Sequence, residues 1–79
     1  MKWVAMDSTC VAAIGYDSRR HPLGIQFRQS GDVYLYFDVP PEEYATFMAA
    51  ESKGTYLNQV FKLREYRCIV ARRGKKQTA

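Results

Sequence analysis

The sequence predicts an α+β domain, a small antiparallel sheet of three or four strands packed against two short helices. Three observations point there. Residues 23 to 29, LGIQFRQ, alternate Leu23, Ile25 and Phe27 with Gly24, Gln26 and Arg28, the period-two pattern of a half-buried strand. After the turn signal SGD, residues 33 to 39, VYLYFDV, form a second β-rich run, so residues 23 to 39 read as a hairpin. Pro40 and Pro41 then give way to Tyr44, Phe47 and Met48 at three- and four-residue spacing, the stripe of a helix lying on a sheet.

The elements follow in order. KWVAM at the amino terminus fits no pattern, and Trp3 is expected to cover an edge of the core. Residues 11 to 17, VAAIGYD, read as a strand that runs into the turn SRRHP. After the hairpin, Pro40 and Pro41 keep the backbone extended and then pre-set it for a helix starting near Pro41. Glu42 and Glu43 fall in its first turn, where negative charge complements the helix dipole. That placement accounts for Asp38, Glu42 and Glu43 better than a cation site does. Gly54 is placed to stop the helix in the left-handed conformation, and Thr55 to cap a second one in which Leu57, Val60, Phe61 and Arg64 share a face. Residues 66 to 71, YRCIVA, either add a fourth strand or extend the second helix. The domain is therefore expected to span residues 1–71, with residues 72–79 a basic, disordered tail.

Seventy-nine residues make one domain, which removes only about 60 to 65% of its unfolded surface from water. A small core and no deep enclosed active site are expected. The first ten residues carry too short an apolar run for a signal peptide, and no stretch approaches the roughly 20 apolar residues of a membrane span. Cys10 and Cys68 lack metal-ligand spacing and read as reduced thiols. The expectation is a cytoplasmic protein with no membrane association, metal or cofactor. Nor do the parts of an enzyme assemble. His21, the single histidine, sits in a turn, neither cysteine carries a nucleophile signature, and no phosphate-binding or dinucleotide fingerprint occurs. A non-catalytic protein is expected.

Charge is uneven. Residues 1 to 61 carry five basic and seven acidic residues, whereas residues 62 to 79 carry seven basic residues against Glu65 alone. Such a basic end is an electrostatic footprint for a polyanion or a solubilising tail. The other candidate feature is the pair Tyr34 and Tyr36, whose role depends on register. A two-residue loop, Ser30 and Gly31, sets Phe27 opposite Tyr34 and Ile25 opposite Tyr36, and the tyrosines join the core. A three-residue loop that includes Gln29 sets Ile25 opposite Leu35, and the tyrosines join Gln26 and Arg28 as a stacking platform. Both readings are open at this level.

STCVAAIGYD, the hairpin ending YLYFDVP, the helix tyrosine Tyr44 and AESKGTYLNQVF, in this order, resemble the KTSC domain over about residues 8–66. The tyrosine-x-tyrosine motif is Tyr34-Leu35-Tyr36. The resemblance implies a short module that occurs at the carboxyl terminus of some bacterial lysyl-tRNA synthetases and as a stand-alone bacterial protein, with RNA binding suggested by that attachment. The positions that match are Tyr16, Tyr34, Tyr36, Ser52, Gly54, Tyr56 and Asn58. The function so expected is non-catalytic binding of RNA, tRNA included, with Arg64, Arg67, Arg72, Arg73, Lys75 and Lys76 on phosphates and Tyr34, Tyr36 and Arg28 as stacking surface. The alternative is a protein-binding adaptor with no nucleic-acid role, using exposed aromatics as hot spots. The oligomeric state is left open.

Overall fold

The computed structural model describes residues 1–74. Strands β1 (Lys2–Ala5), β2 (Val11–Tyr16), β3 (Leu23–Phe27) and β4 (Val33–Tyr36) come first, followed by α1 (Pro41–Ala49). A second helical run comprises α2 (Lys53–Tyr56), a π-helical turn (Leu57–Phe61) and α3 (Lys62–Arg64), and β5 (Cys68–Arg72) closes the described chain. The strands lie side by side in sequence order as one antiparallel sheet.

The sheet thus has five strands, not three or four. β1 escaped the sequence reading because it is an edge strand exposed at all four positions, with no apolar alternation to betray it. The stretch at 66–71 resolves as the other edge strand, β5. That strand takes in Arg72, which the sequence assigned to the tail. Arg73 and Gly74 then bond to Asp32, and residues 75–79 lie outside the described residues.

Ile14, Leu23 and Ile25 on the sheet pack against Phe47 of α1 and Leu57 and Phe61 of the second helical run. A bulge between Val11 and Ala13 lets Val11 join Ile14 on the same side although the two are three apart. Both helices therefore cover one face of the sheet. α1 starts as expected at Pro41, with Glu42 and Glu43 in its first turn. The expected stop and cap are displaced. α1 ends at Ala49, and the cap of the next helix is Ser52, whose Oγ accepts from the Thr55 N–H at 3.2 Å. Gly54 lies within α2, where a Cβ would come within 3.2 Å of the Cys10 Cβ. Its lack of a side chain permits a close approach and does not end a helix.

Register gives an answer that neither loop anticipated. Ile25 faces Tyr34 and Leu23 faces Tyr36, while Phe27 pairs with Asp32 through an N–H to carbonyl bond of 3.0 Å. Four residues, 28 to 31, make the turn, with Gly31 left-handed at φ 74°. A four-residue loop keeps the parity of a two-residue loop, so the tyrosines share the face of Ile25 and the helices. Each sits one pair further along than the shorter loop would place it.

Among the described residues, the other face carries no helix. Trp3 lies there, not at the core's edge, stretched across two glycines: a Cβ at Gly15 would sit 2.8 Å from Trp3 Cδ2, and one at Gly24 2.6 Å from Cη2. Gly24→Ala should therefore lift the indole off the sheet, red-shift the emission of the protein's single tryptophan and cost about 1 to 3 kcal/mol in urea unfolding. An unchanged emission spectrum would mean that Trp3 does not rest on the glycines.

Candidate functional site

The helix side of β3 and β4 is only partly roofed. At the end nearest the hairpin turn, Phe27 and Tyr34 meet edge to face at 5.4 Å, and Tyr36 meets Phe61 of the second helix in the same way at 5.5 Å. Burial pushes the Tyr36 phenol up to about 12, with Cys68 and Tyr34 beside it adding to the effect. Beyond the helix edge these rings floor an open groove of about 600 Å³, lined by Tyr34, Tyr36, Phe27 and Cys10, with Gln29 and Ser30 from the turn. Cys10, Phe27 and Tyr36 also line a neighbouring hollow of about 380 Å³, bounded by Gly54, Asn58, Phe61, Lys62 and Tyr66. The π-helical turn, in which the Lys62 N–H reaches back to the Leu57 carbonyl, forms that hollow's wall.

The carboxyl-terminal chain arrives at the same rim. Gly74 donates its N–H to Asp32 Oδ1 at 2.8 Å, and Arg73 Nη1 lies 3.5 Å from Oδ2 of the same carboxylate. Gly74 packs against the Ser30 carbonyl and Gly31. The chain therefore leaves β5 beside the turn whose residues line the groove.

A second cluster holds the frame. Glu43 is buried, 9% exposed. Its Oε1 accepts from Arg64 Nε at 2.8 Å and the Tyr66 hydroxyl at 3.0 Å, and its Oε2 accepts from the Tyr56 hydroxyl. Desolvation would raise the carboxyl, but the hydrogen bonds from Tyr56, Arg64 and Tyr66 outweigh it and hold Glu43 below its ordinary value. Burial and then the Glu43 bond push the Tyr56 and Tyr66 phenols up to about 12. The dipole reading of Glu43 was therefore incomplete, because this carboxylate ties α1 to α2, α3 and the entry to β5. Tyr16 plays a similar part on the far side, donating to the Val39 carbonyl at 2.6 Å and stacking on Tyr44 at 4.3 Å.

The residues singled out in the sequence are not all brought together. Tyr34 and Tyr36 share the groove, but Arg28 does not extend a platform beside them. Its guanidinium bonds the carbonyls of Ser8 and Met6, each at 2.7 Å, and braces the β1–β2 connection. Arg64 is held by Glu43. Arg67 lies 4.6 Å over the Phe37 ring, and Arg72 pairs with Val33. Both belong to the open face of the sheet, away from the tyrosines. Lys75 and Lys76 lie outside the described residues. Among the matched positions, Gly54 and Asn58 border the second hollow with Tyr36, whereas Tyr16, Ser52 and Tyr56 serve caps and braces. Sequence reasoning missed Cys10 and Phe27 as groove residues. Phe27 carried a core signal only, and Cys10 carried none.

Among the described residues no three His, Cys, Asp or Glu side chains cluster as metal ligands, and no helix is long and apolar enough to cross a membrane. Cys10 and Cys68 are free and exposed.

The five-strand meander with two helical runs on one face defines an α+β module with an aromatic groove at the helix edge. The chain belongs to the KTSC domain family, whose model matches residues 7–66. It is similar to an uncharacterized protein of Stutzerimonas stutzeri, 42% identical over 67 residues, 85% of this chain and 93% of that one. A protein of Tsukamurella paurometabola is 39% identical over 59 residues, 75% and 87% of the two chains. The crystal structure of a KTSC domain protein from Yersinia pestis superposes with a TM-score of 0.82 at 34% identity, over 90% of this chain and 97% of that one. The match by family spans both tyrosines and the Glu43 cluster but leaves out Trp3, Arg67 and Arg72.

The Glu43 cluster makes stability depend on pH in two windows. The carboxyl's contribution is full above its ordinary value of 4.5 and is lost as pH falls through its lower folded value. The contributions of Tyr56 and Tyr66 are full below their ordinary value of 10.0 and are lost as pH rises through about 12. Glu43→Gln should cost about 1 to 3 kcal/mol in urea unfolding at neutral pH. The gap to the unaltered protein should close in acid, where its own carboxyl protonates. A gap independent of pH would remove the ionised carboxylate from the account.

Proposed function

We propose that this protein is a non-catalytic module that binds single-stranded RNA, with a base against Tyr34 and Phe27 and its phosphates met by the carboxyl-terminal lysines. The observation that carries the reading is the meeting of groove and chain end: Gly74 is bonded to Asp32 beside Ser30, and Lys75 and Lys76 follow it in the sequence. An aromatic floor accepts any base by stacking, the hydroxyl and amide groups of Ser30 and Gln29 offer hydrogen bonds to its edge, and tethered cations attract the backbone. Exposed thiols and the lack of a membrane-crossing helix among the described residues support placing this work in the cytoplasm.

A second reading, a protein-binding adaptor, is favoured by the helix-free face, where Trp3 is 44% and Ile69 51% exposed beside Arg67 and Arg72. The two readings use opposite faces, so substitutions separate them.

Fluorescence titration of labelled single-stranded RNA and tRNA at low and moderate salt tests the proposal. Dissociation constants on the order of 10⁻⁴ to 10⁻⁶ M with strong salt dependence are expected. Tyr34→Ala should weaken binding by about 1 to 3 kcal/mol. Replacing Lys75 and Lys76 together by Ala should lower the slope of log affinity against log salt by about 1.4. Absence of binding at low salt would overturn the RNA reading, and loss of binding in Trp3→Ala with none in Tyr34→Ala would move it to the other face.

A further inference from the structure

Tyr36, with Phe27 and Cys10, borders two hollows. On one side lies the compartment of Phe27 and Tyr34, about 600 Å³, with Gln29 and Ser30 at its edge. On the other lies the hollow of Phe61 and Tyr66, about 380 Å³, with Asn58 and Lys62 at its edge. Each is of a size that small-ligand sites occupy, and each joins an aromatic wall to side chains able to hydrogen-bond a base edge. Tyr36, Phe27 and Cys10 line both, so the two compartments adjoin at these side chains.

We infer that the groove takes two successive unpaired nucleotides, one base in each compartment with the Tyr36 side chain between them. This rests on the RNA reading above and adds a site size and a second set of contacts. Lys62 supplies a cation for the sugar-phosphate link on the helix side. Asn58 presents an amide, which pairs with a base edge through both its donor and its acceptor. Glu65, a carboxylate on the lining of the second hollow, repels phosphate and accepts from a base amino group, so phosphate is turned toward Lys62 and the turn. The place of Asn58 follows from the π-helical turn that contains it, and such turns frequently mark functional positions. Both Asn58 and Lys62 are exposed, so their substitution leaves the core intact.

The test is a length series of adenylate oligomers, from one to six nucleotides, titrated at moderate salt into the full chain and followed by backbone amide shifts. The expected result is a rise of roughly tenfold in affinity from one nucleotide to two, with little further gain from longer oligomers, and shifts at Asn58 and Lys62 that start with the dinucleotide. Asn58→Ala and Lys62→Ala should each bring the dinucleotide's affinity toward that of the mononucleotide. Shifts at Tyr34 and Gln29 with none at Asn58 or Lys62 at any length would overturn the two-base site and leave the RNA reading standing. An affinity that keeps climbing with each added nucleotide would also overturn it. No response to any oligomer would overturn both.

Discussion

The parity of one hairpin governs the rest of this molecule. Four residues turn the chain between Phe27 and Asp32, with Gly31 left-handed, and this sets Tyr34 and Tyr36 on the face of Leu23 and Ile25. A slip of a single residue would move both rings to the open face and take Tyr36 from its edge-to-face contact with Phe61. It would also take two of the three rings from the groove's floor. Gly31 pre-disposes the turn, because a residue with a Cβ is strained at that dihedral. Asp32 secures the turn from outside by holding Arg73 and Gly74. The same carboxylate therefore fixes the hairpin's end and the direction in which the chain departs.

With so little core, the domain also relies on a polar brace. Among the described residues, eight buried apolar side chains from four elements and one loop form a single cluster, and the helices flanking it are short. Glu43 connects them by accepting three hydrogen bonds at once, and no buried side-chain nitrogen or oxygen among the described residues lacks a partner. Such a network is costly to break at one member and rigid when complete, which suits a frame that must hold a shallow site open beside it. The opposite face is managed differently: Trp3 covers Gly15 and Gly24, supplying from a neighbouring strand the side-chain surface those glycines lack.

Much of this was legible in the sequence. The hairpin, the proline-started helix and the helix face of Leu57 and Phe61 all followed from period and turn chemistry, because each buries a regular apolar stripe. The edges were less so: β1 is exposed along its whole length and pairs by backbone bonds that leave no mark in side-chain pattern, and β5, equally exposed, was legible only as one of two alternatives for residues 66 to 71. Gly54 misled because a glycine needed for contact with Cys10 looks in sequence like one needed for a helix stop. The tyrosines were read correctly as a question of face, but the turn's length is a matter of backbone geometry that SGD alone does not specify. Basic residues were the least legible. Arg28 and Arg64 are as charged in sequence as any phosphate ligand, yet carbonyls and Glu43 hold them.

The functional account stands on which side of the sheet the two tyrosines occupy, and a two-dimensional nuclear Overhauser spectrum of the protein reads that directly. The account predicts cross-peaks from the Tyr36 ring to Phe61 and from the Tyr34 ring to Phe27. Cross-peaks from either tyrosine ring to the side chains of Gln26 or Trp3 would place the pair on the open face and contradict it.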